Sequence, residues 1–337
     1  MAKTKHAVAV ELCKRFPGTS SRSLGRKLYA DNKAWFPNEK QAYNVILRAR
    51  GSLGAKDHIT DKSAFREKNT MPALPPSDAK AWEPFVIDGP TSLISLSDPH
   101  VPYHDERALT SAVAHGRKLK PKVVLLNGDF ADFYSVSSWE RDPKKRELRA
   151  ELDKLRDCLL WLLAQFPKAR IIYKQGNHEE RLNKFVWSKA PELWDLPQLT
   201  LEGFMKIGND LQPIAAMERI EWVSDQRPIM AGKLPIFHGH ELPKGLASPV
   251  NPARGAYLRM ADSVLVAHSH RSSAHTEYDW RHEPTVCWSQ GCLCDMSPAY
   301  ARINKWNHGF AAVEVAKDGA YDVRNFQILP DGSVKGA

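Results

Sequence analysis

The sequence predicts an α/β domain preceded by a small, basic, all-α module. Three observations carry this. Five short apolar runs each deliver an Asp, Asn or His at their C-terminal end, and from residue 91 onward strand, polar motif and helix patterns follow one another. The first 80 residues, whose clear periodicity is helical, hold 16 Lys+Arg against 7 Asp+Glu, while the rest of the 337-residue chain holds 32 of each sign. The whole net charge of +9 therefore sits at the N-terminal end and implies an anionic partner there.

In that basic segment, residues 6–15, 20–30 and 38–50 read as short helices. The first carries Ala7, Val8, Val10 and Leu12 and stops before Phe16-Pro17-Gly18. The second follows a Thr-Ser-Ser run suited to N-capping and carries Leu24 and Leu28 at i, i+4. The third starts at Asn38, is expected to bury Tyr43, Val45, Ile46 and Leu47, and ends at Gly51. Residues 1–55 thus suggest a helix-turn-helix-like module that binds nucleic acid, although the 30–38 link exceeds the usual 3–4-residue turn. The alternative is a basic helical cap on the enzyme. Residues 56–90, polar and proline-containing, read as a linker.

The main domain, 91–330, is built on the apolar runs 93–97, 123–126, 171–173, 234–237 and 264–267. Val123-Val124-Leu125-Leu126 has no alternation, which marks a strand covered on both faces, as in a largely parallel sheet. Open α/β sheets collect ligand-binding groups at the C-terminal strand edge. Residues 106–119 and 144–166 read as helices, the second with Leu148, Leu152, Leu155, Leu159 and Leu162 on one stripe. The Trp-, Pro- and Leu-rich stretch 183–233 reads as a helical insertion overhanging the site. Asp318-Gly319 between two alternating runs predicts a terminal hairpin over 310–328.

The strand ends read Asp98-x-His100, Gly128-Asp129-x-x-Asp132, Gly176-Asn177-His178-Glu179, His238-Gly239 and His268-x-His270. In order, type and spacing these resemble the calcineurin-like metallophosphoesterase signature over roughly residues 90–315. The resemblance implies a β-sandwich flanked by helices and a dinuclear centre that hydrolyses phosphate esters. It implies Asp98, His100 and His270 on one metal, Asn177, His238 and His268 on the other, and Asp129 bridging. It further implies His178 as the acid that protonates the leaving oxygen, with Asp132 as its partner. Two departures stand out. Ala267 replaces the usual Gly before His-x-His, and Phe133-Tyr134 replaces the Arg-Gly of the family's protein phosphatases, which argues against a dedicated protein phosphatase.

The mixed oxygen and imidazole donor set suits two divalent ions of manganese first, or iron, zinc or nickel, better than magnesium or calcium. Such a pair neutralises the phosphate, acidifies water and aligns nucleophile with phosphorus. Arg181 could clamp a phosphate or pair with Glu179 or Glu180. His240 is either a substrate contact or a supporting rim residue. Cys287, Cys292 and Cys294 lack a CxxC and read as core residues. Tyr300, Trp306 and Trp288 offer stacking faces to a base or belong to the core. The basic module favours nucleic-acid phosphodiesters as substrate, against a phosphomonoesterase for nucleotides or phosphoproteins, or a nucleic-acid-binding protein with secondary phosphoesterase activity. No run reaches the ~18 apolar residues of a membrane helix, no signal-peptide core is present, and five cysteines without secretory context fit the cytoplasm.

Overall fold

The computed structural model describes residues 4–51, 74–79, 81–138, 142, 147–243 and 250–336. The chain forms two compact units, Met1–Lys80 and Ala81–Ala337.

The first unit contains α1 (Lys5–Arg15), α2 (Ser21–Asp31) and α3 (Glu39–Ala49). Thr4, Ser20 and Asn38 cap them, each side chain accepting a backbone N–H three residues on. The core comprises Ala9, Cys13, Leu24, Leu28, Phe36, Ala42, Ile46 and Ala49. Of the residues expected inside α3, Ile46 is fully buried while Tyr43, Val45 and Leu47 are half-buried. Small residues occupy the contact because the helices lie close: a Cβ at Gly25 would stand 2.8 Å from Tyr43 Cα. The long 31–39 link is accounted for by a one-turn 3₁₀ helix, Lys33–Trp35, and by Phe36, which plugs the core.

Two sheets form the second unit. One has the order β13-β12-β11-β2-β3-β4-β5, in which β2 (Thr91–Leu96), β3 (Val123–Asn127), β4 (Arg170–Lys174) and β5 (Ile220–Val223) are parallel. The antiparallel strands β11 (Gly309–Val315), β12 (Tyr321–Ile328) and β13 (Val334–Gly336) extend it, the first two making the expected hairpin. The other has the order β1-β6-β7-β8-β10-β9, from β1 (Phe85–Ile87), β6 (Ile229–Ala231), β7 (Leu234–Ile236), β8 (Val264–Val266), β9 (Ser273–Tyr278) and β10 (Pro284–Ser289).

Alternate residues of the same strand serve different cores, which is why the apolar runs are continuous. Leu93, Val123, Leu125 and Ile172 meet Ile229, Leu234, Ile236 and Leu265 between the sheets. Ile94, Val124, Leu126 and Ile171 instead pack under α4 (Glu106–Leu119) and α5 (Leu148–Gln165). On the second sheet, Val264 and Val266 pack against Ala253 and Ala256 of α8 (Pro252–Met260). The architecture is the expected β-sandwich flanked by helices. Among the described residues no helix is long and apolar enough to cross a membrane.

Some boundaries move. The expected linker 56–90 falls partly outside the described residues, and its end is β1, which pairs with β6. Helix α5 is described from Leu148; the expected start at 144 lies outside. The stretch 183–233 is not wholly helical. After α6 (Glu180–Lys189), α7 (Leu201–Lys206) and three 3₁₀ turns, it supplies β5 and β6. Leu201, Met205 and Met217 of this stretch are buried in the same core as the leucines of α5, which ties that part of it to the main domain.

Candidate metal centre

Five strand ends converge. Beyond β2 and β3 the chain continues as two adjacent extended segments: Asp98 N–H donates to Gly128 O (3.1 Å), His100 N–H to Asp129 O (3.1 Å) and Asp132 N–H to Val101 O (3.0 Å). Beyond β7 and β8, Ala267 N–H donates to His238 O (2.7 Å), and His268 N–H reaches Asp98 Oδ2 (3.2 Å). Asp98, His100, Asp129, His268 and His270 all have φ between 50° and 63°. Left-handed backbone at non-glycine residues costs of order 1–3 kcal/mol each and persists where surroundings enforce it. Glycine is required at two neighbours: a Cβ at Gly176 would strike Asp129 Oδ1, and one at Gly128 would strike His238 Nδ1. Ala267 takes an ordinary negative φ, so its Cβ is accommodated.

Two buried glutamates hold these turns. The Glu179 carboxylate accepts the N–H groups of Asp129 (3.0 Å), Phe130 (2.7 Å), Ala131 (2.9 Å) and Gly176 (2.8 Å), and the Tyr173 hydroxyl (2.8 Å). Glu241 accepts from Gly239 N–H (2.7 Å) and His238 N–H (3.3 Å) and pairs with the fully buried Lys174 ammonium at 2.8 Å. Burial works against its charge, but Lys174 and His240 outweigh this and hold the Glu241 pKa at about 2. In the sequence Glu179 entered only as the last residue of the Gly176-Asn177-His178-Glu179 motif, without a role, and neither Glu241 nor Lys174 stood out. A lysine closing the apolar run of β4 was the available signal, since a buried charge needs a partner.

Within this frame the expected ligands come together. His270 Nε2 lies 3.2 Å from both Asp98 Oδ1 and His100 Nε2. His238 Nε2 lies 3.2 Å from Asp129 Oδ2 and 3.9 Å from Asp98 Oδ1. Asp98, His100 and Asp129 form one metal-sized cluster, and Asp129, His238 and His268 form another, so Asp129 belongs to both. His238 Nδ1–H donates to Asn127 O (2.8 Å) and His100 Nδ1 contacts Asp132 Oδ1 (3.1 Å), which turns both Nε2 atoms inward. Asn177 Oδ1 is buried without a hydrogen-bond partner, and Asp98 Oδ1 and His238 Nε2 are buried with ion-pair contacts but no well-aligned hydrogen bond.

The electrostatics call for a cation. Burial opposes charge on His238, yet Asp129 and Asp98 raise its pKa to about 10; burial likewise opposes charge on Asp98, yet His270 and His238 hold it at about 2. Burial and the neighbouring His238 lower His268 to about 4. Inward-facing oxygen and imidazole atoms crowded around buried carboxylates fit divalent ions of the nitrogen- and oxygen-loving transition series.

His178 stands beside this set. Its Nδ1 lies 3.0 Å from Asp132 Oδ1 and 2.9 Å from Asp132 O, and its Nε2 lies 3.8 Å from Asp129 Oδ2. Arg181 pairs with neither Glu179 nor Glu180. Its guanidinium donates to Asp132 O (2.9 Å) and lies 2.9 Å from His178 Nε2, because Glu179 is committed to backbone amides and Glu180 to Lys184, Gln226 and His240. His240 is held between Glu180 (3.1 Å) and Glu241 (3.4 Å), its ring 5.4 Å from that of His238. A cavity of about 600 Å³ opens over His178, Asp132 and Arg181, walled by Tyr103, Tyr134 and Tyr300. Trp306 packs edge-on against His270, Trp288 is half-buried by the inter-sheet core, and Tyr300 is exposed. All three late cysteines are buried, and Cys294 Sγ comes within 3.9 Å of His270 Nδ1.

No family model matches the chain. The gene 54 protein of Mycobacterium phage L5 is 24% identical over 243 residues, 66% of this chain and 88% of the phage protein; that of phage D29 is 23% identical over the same shares. Similar solved structures include vacuolar protein sorting 29 from Cryptosporidium parvum (12% identity, 73% of this chain, 95% of that one, TM-score 0.37). They also include a dimetal phosphatase from Danio rerio (14%, 74% and 96%, 0.36) and a metallophosphoesterase from Sphaerobacter thermophilus (12%, 71% and 88%, 0.36).

Proposed function

We propose that the chain hydrolyses phosphate esters at a dinuclear metal centre, with nucleic-acid phosphodiesters as its preferred substrates. The observation that carries the reading is Asp129, shared by two clusters of buried ligand atoms close enough to hold one ion each. Asp98, His100 and His270 would hold one ion, Asn177, His238 and His268 the other. Such ions, manganese first among them, supply charge neutralisation at the phosphoryl oxygens and acidify water. The protein's own part is proton delivery and orientation. Asp132 fixes the His178 ring through Nδ1, leaving Nε2 toward Arg181 and the tyrosine-walled cavity. In its imidazolium form His178 protonates the departing oxygen from Nε2 and is left neutral, while Arg181, which faces Nε2 without substrate, turns to the phosphoryl charge. The tyrosine faces suit a nucleobase, and the basic N-terminal unit suits a polyanion.

The test pairs metal analysis with a substrate panel. Manganese-loaded protein should bind two equivalents and cleave bis(4-nitrophenyl) phosphate and single- or double-stranded DNA faster than 4-nitrophenyl phosphate. Asp129→Asn should lose most metal and activity together. Two retained equivalents with near-normal turnover in that variant would refute the shared-ligand assignment, and a monoester preference would redirect the substrate to nucleotides or phosphoproteins.

A further inference from the structure

A second cavity, of about 370 Å³, borders the centre at His268 and Gly239 and shares no lining residue with the first. The two differ in charge. The tyrosine-walled cavity includes the carboxylates of Asp132 and Asp295 as well as Arg181. The second is lined by Arg259 and Arg271 and, among the described residues, by no acidic side chain. Arg271 donates to Val250 O at 2.8 Å. Arg259 lies in the last turn of α8, and its Nε is buried with no hydrogen-bond partner. The helix C-terminus favours a cation at Arg259 but does not account for a second guanidinium lining the same cavity, and the pair beside the metal centre points to an anion.

We infer that this second cavity binds a phosphate of the substrate other than the one being cleaved, on the part of the molecule that stays with the cleaved phosphorus. The inference rests on the phosphodiester reading above. His178 lines the first cavity, so the leaving group departs there. His268 belongs to the other ligand cluster, so the retained substituent extends past it. Two guanidinium groups lining one cavity select an anion, and the planar guanidinium fork matches phosphate oxygens. The substrate class is accordingly a chain of phosphodiesters, in which every retained nucleoside carries a further phosphate.

Equilibrium binding separates this from catalysis. Thymidine 3′,5′-bisphosphate, thymidine 5′-monophosphate and thymidine 3′-monophosphate are titrated calorimetrically into the full-length, manganese-loaded protein. The bisphosphate should bind at least about tenfold more tightly than either monophosphate, roughly one charge-assisted hydrogen bond. Arg259→Gln should bring that ratio close to one, Arg271→Gln should reduce it, and Arg259→Lys should retain part of it. Equal binding of all three ligands by the unmodified protein overturns the inference, as does a ratio that survives Arg259→Gln. A protein that prefers the bisphosphate yet cleaves no diester keeps this site and loses the catalytic reading. One that cleaves diesters without the preference does the reverse.

Discussion

His178 presents one ring nitrogen to Asp132 and the other to the cavity, and this orientation makes its role separable from that of the ligands. Replacing it with Gln removes the transferable proton while keeping a polar side chain. His178→Gln should therefore retain both metals and lose on the order of 10²–10⁴ in turnover. The loss should shrink for nitrophenolate, which leaves without protonation; equal losses for nitrophenyl and alkyl leaving groups would count against proton donation. Glu179 is separable in another way. Five donors converge on its buried carboxylate, and Glu179→Gln would oppose an amide N–H to some of them. Lower thermal stability with weaker metal binding is expected, because Asp129 itself is one of the residues tethered. Unaltered metal affinity in that variant would show that the tether does not position the ligands. The ligand types were legible in the sequence because each follows an apolar run directly. The roles of Glu179, Glu241 and Lys174 were not, since their partners are backbone amides or charges contributed by other loops.

At the scale of elements, legibility followed length and burial. The five ligand-bearing strands declare themselves because covered faces demand unbroken apolar runs. Strands β5, β6 and β1 carry half-buried or exposed positions, unlike the equally short but fully buried β7 and β8, so no covered run marks them. Helix α5 was legible from its leucine stripe, yet it also buries Glu151. The Glu151 Oε1 atom has no hydrogen-bond partner among the described residues, and donors from Ser135, whose N–H lies 3.4 Å from Oε2, and Tyr134 only partly offset its burial. Desolvation raises its pKa to about 7, from the 4.5 of an exposed glutamate. The folded state thus holds this proton more tightly than the unfolded chain. The stabilising contribution is complete below pH 4.5 and is lost as pH rises through 7. Glu151→Gln, which stays neutral, should raise the melting temperature by a few degrees at pH 8 and by almost nothing at pH 4. A gain of equal size at both values would assign the effect to packing and not to ionisation.

For the whole molecule the decisive quantity is the distribution of charge. The helical unit carries the entire positive excess, but its cations are not equivalent. Arg26 pairs with Glu39 (3.0 Å), Lys27 with Asp31 (3.1 Å), and Arg50 bonds Ser21 Oγ (2.9 Å) and Thr19 O (2.7 Å), tying the end of α3 to the start of α2. Arg22 and Arg48 are exposed on those same two helix ends, and they are the better candidates for phosphate contacts. If this unit anchors nucleic acid, each contact releases counterions, and log affinity falls with log salt by ~0.9 per duplex phosphate neutralised. The double variant Arg22→Gln/Arg48→Gln in the full chain should therefore weaken duplex DNA binding and flatten the salt slope by up to ~1.8. Hydrolysis of bis(4-nitrophenyl) phosphate should persist, because every expected metal ligand lies in the other unit. An unchanged slope would remove these arginines from the DNA contact, and a parallel loss of small-ester hydrolysis would instead make the helical unit a cap on which the enzyme depends.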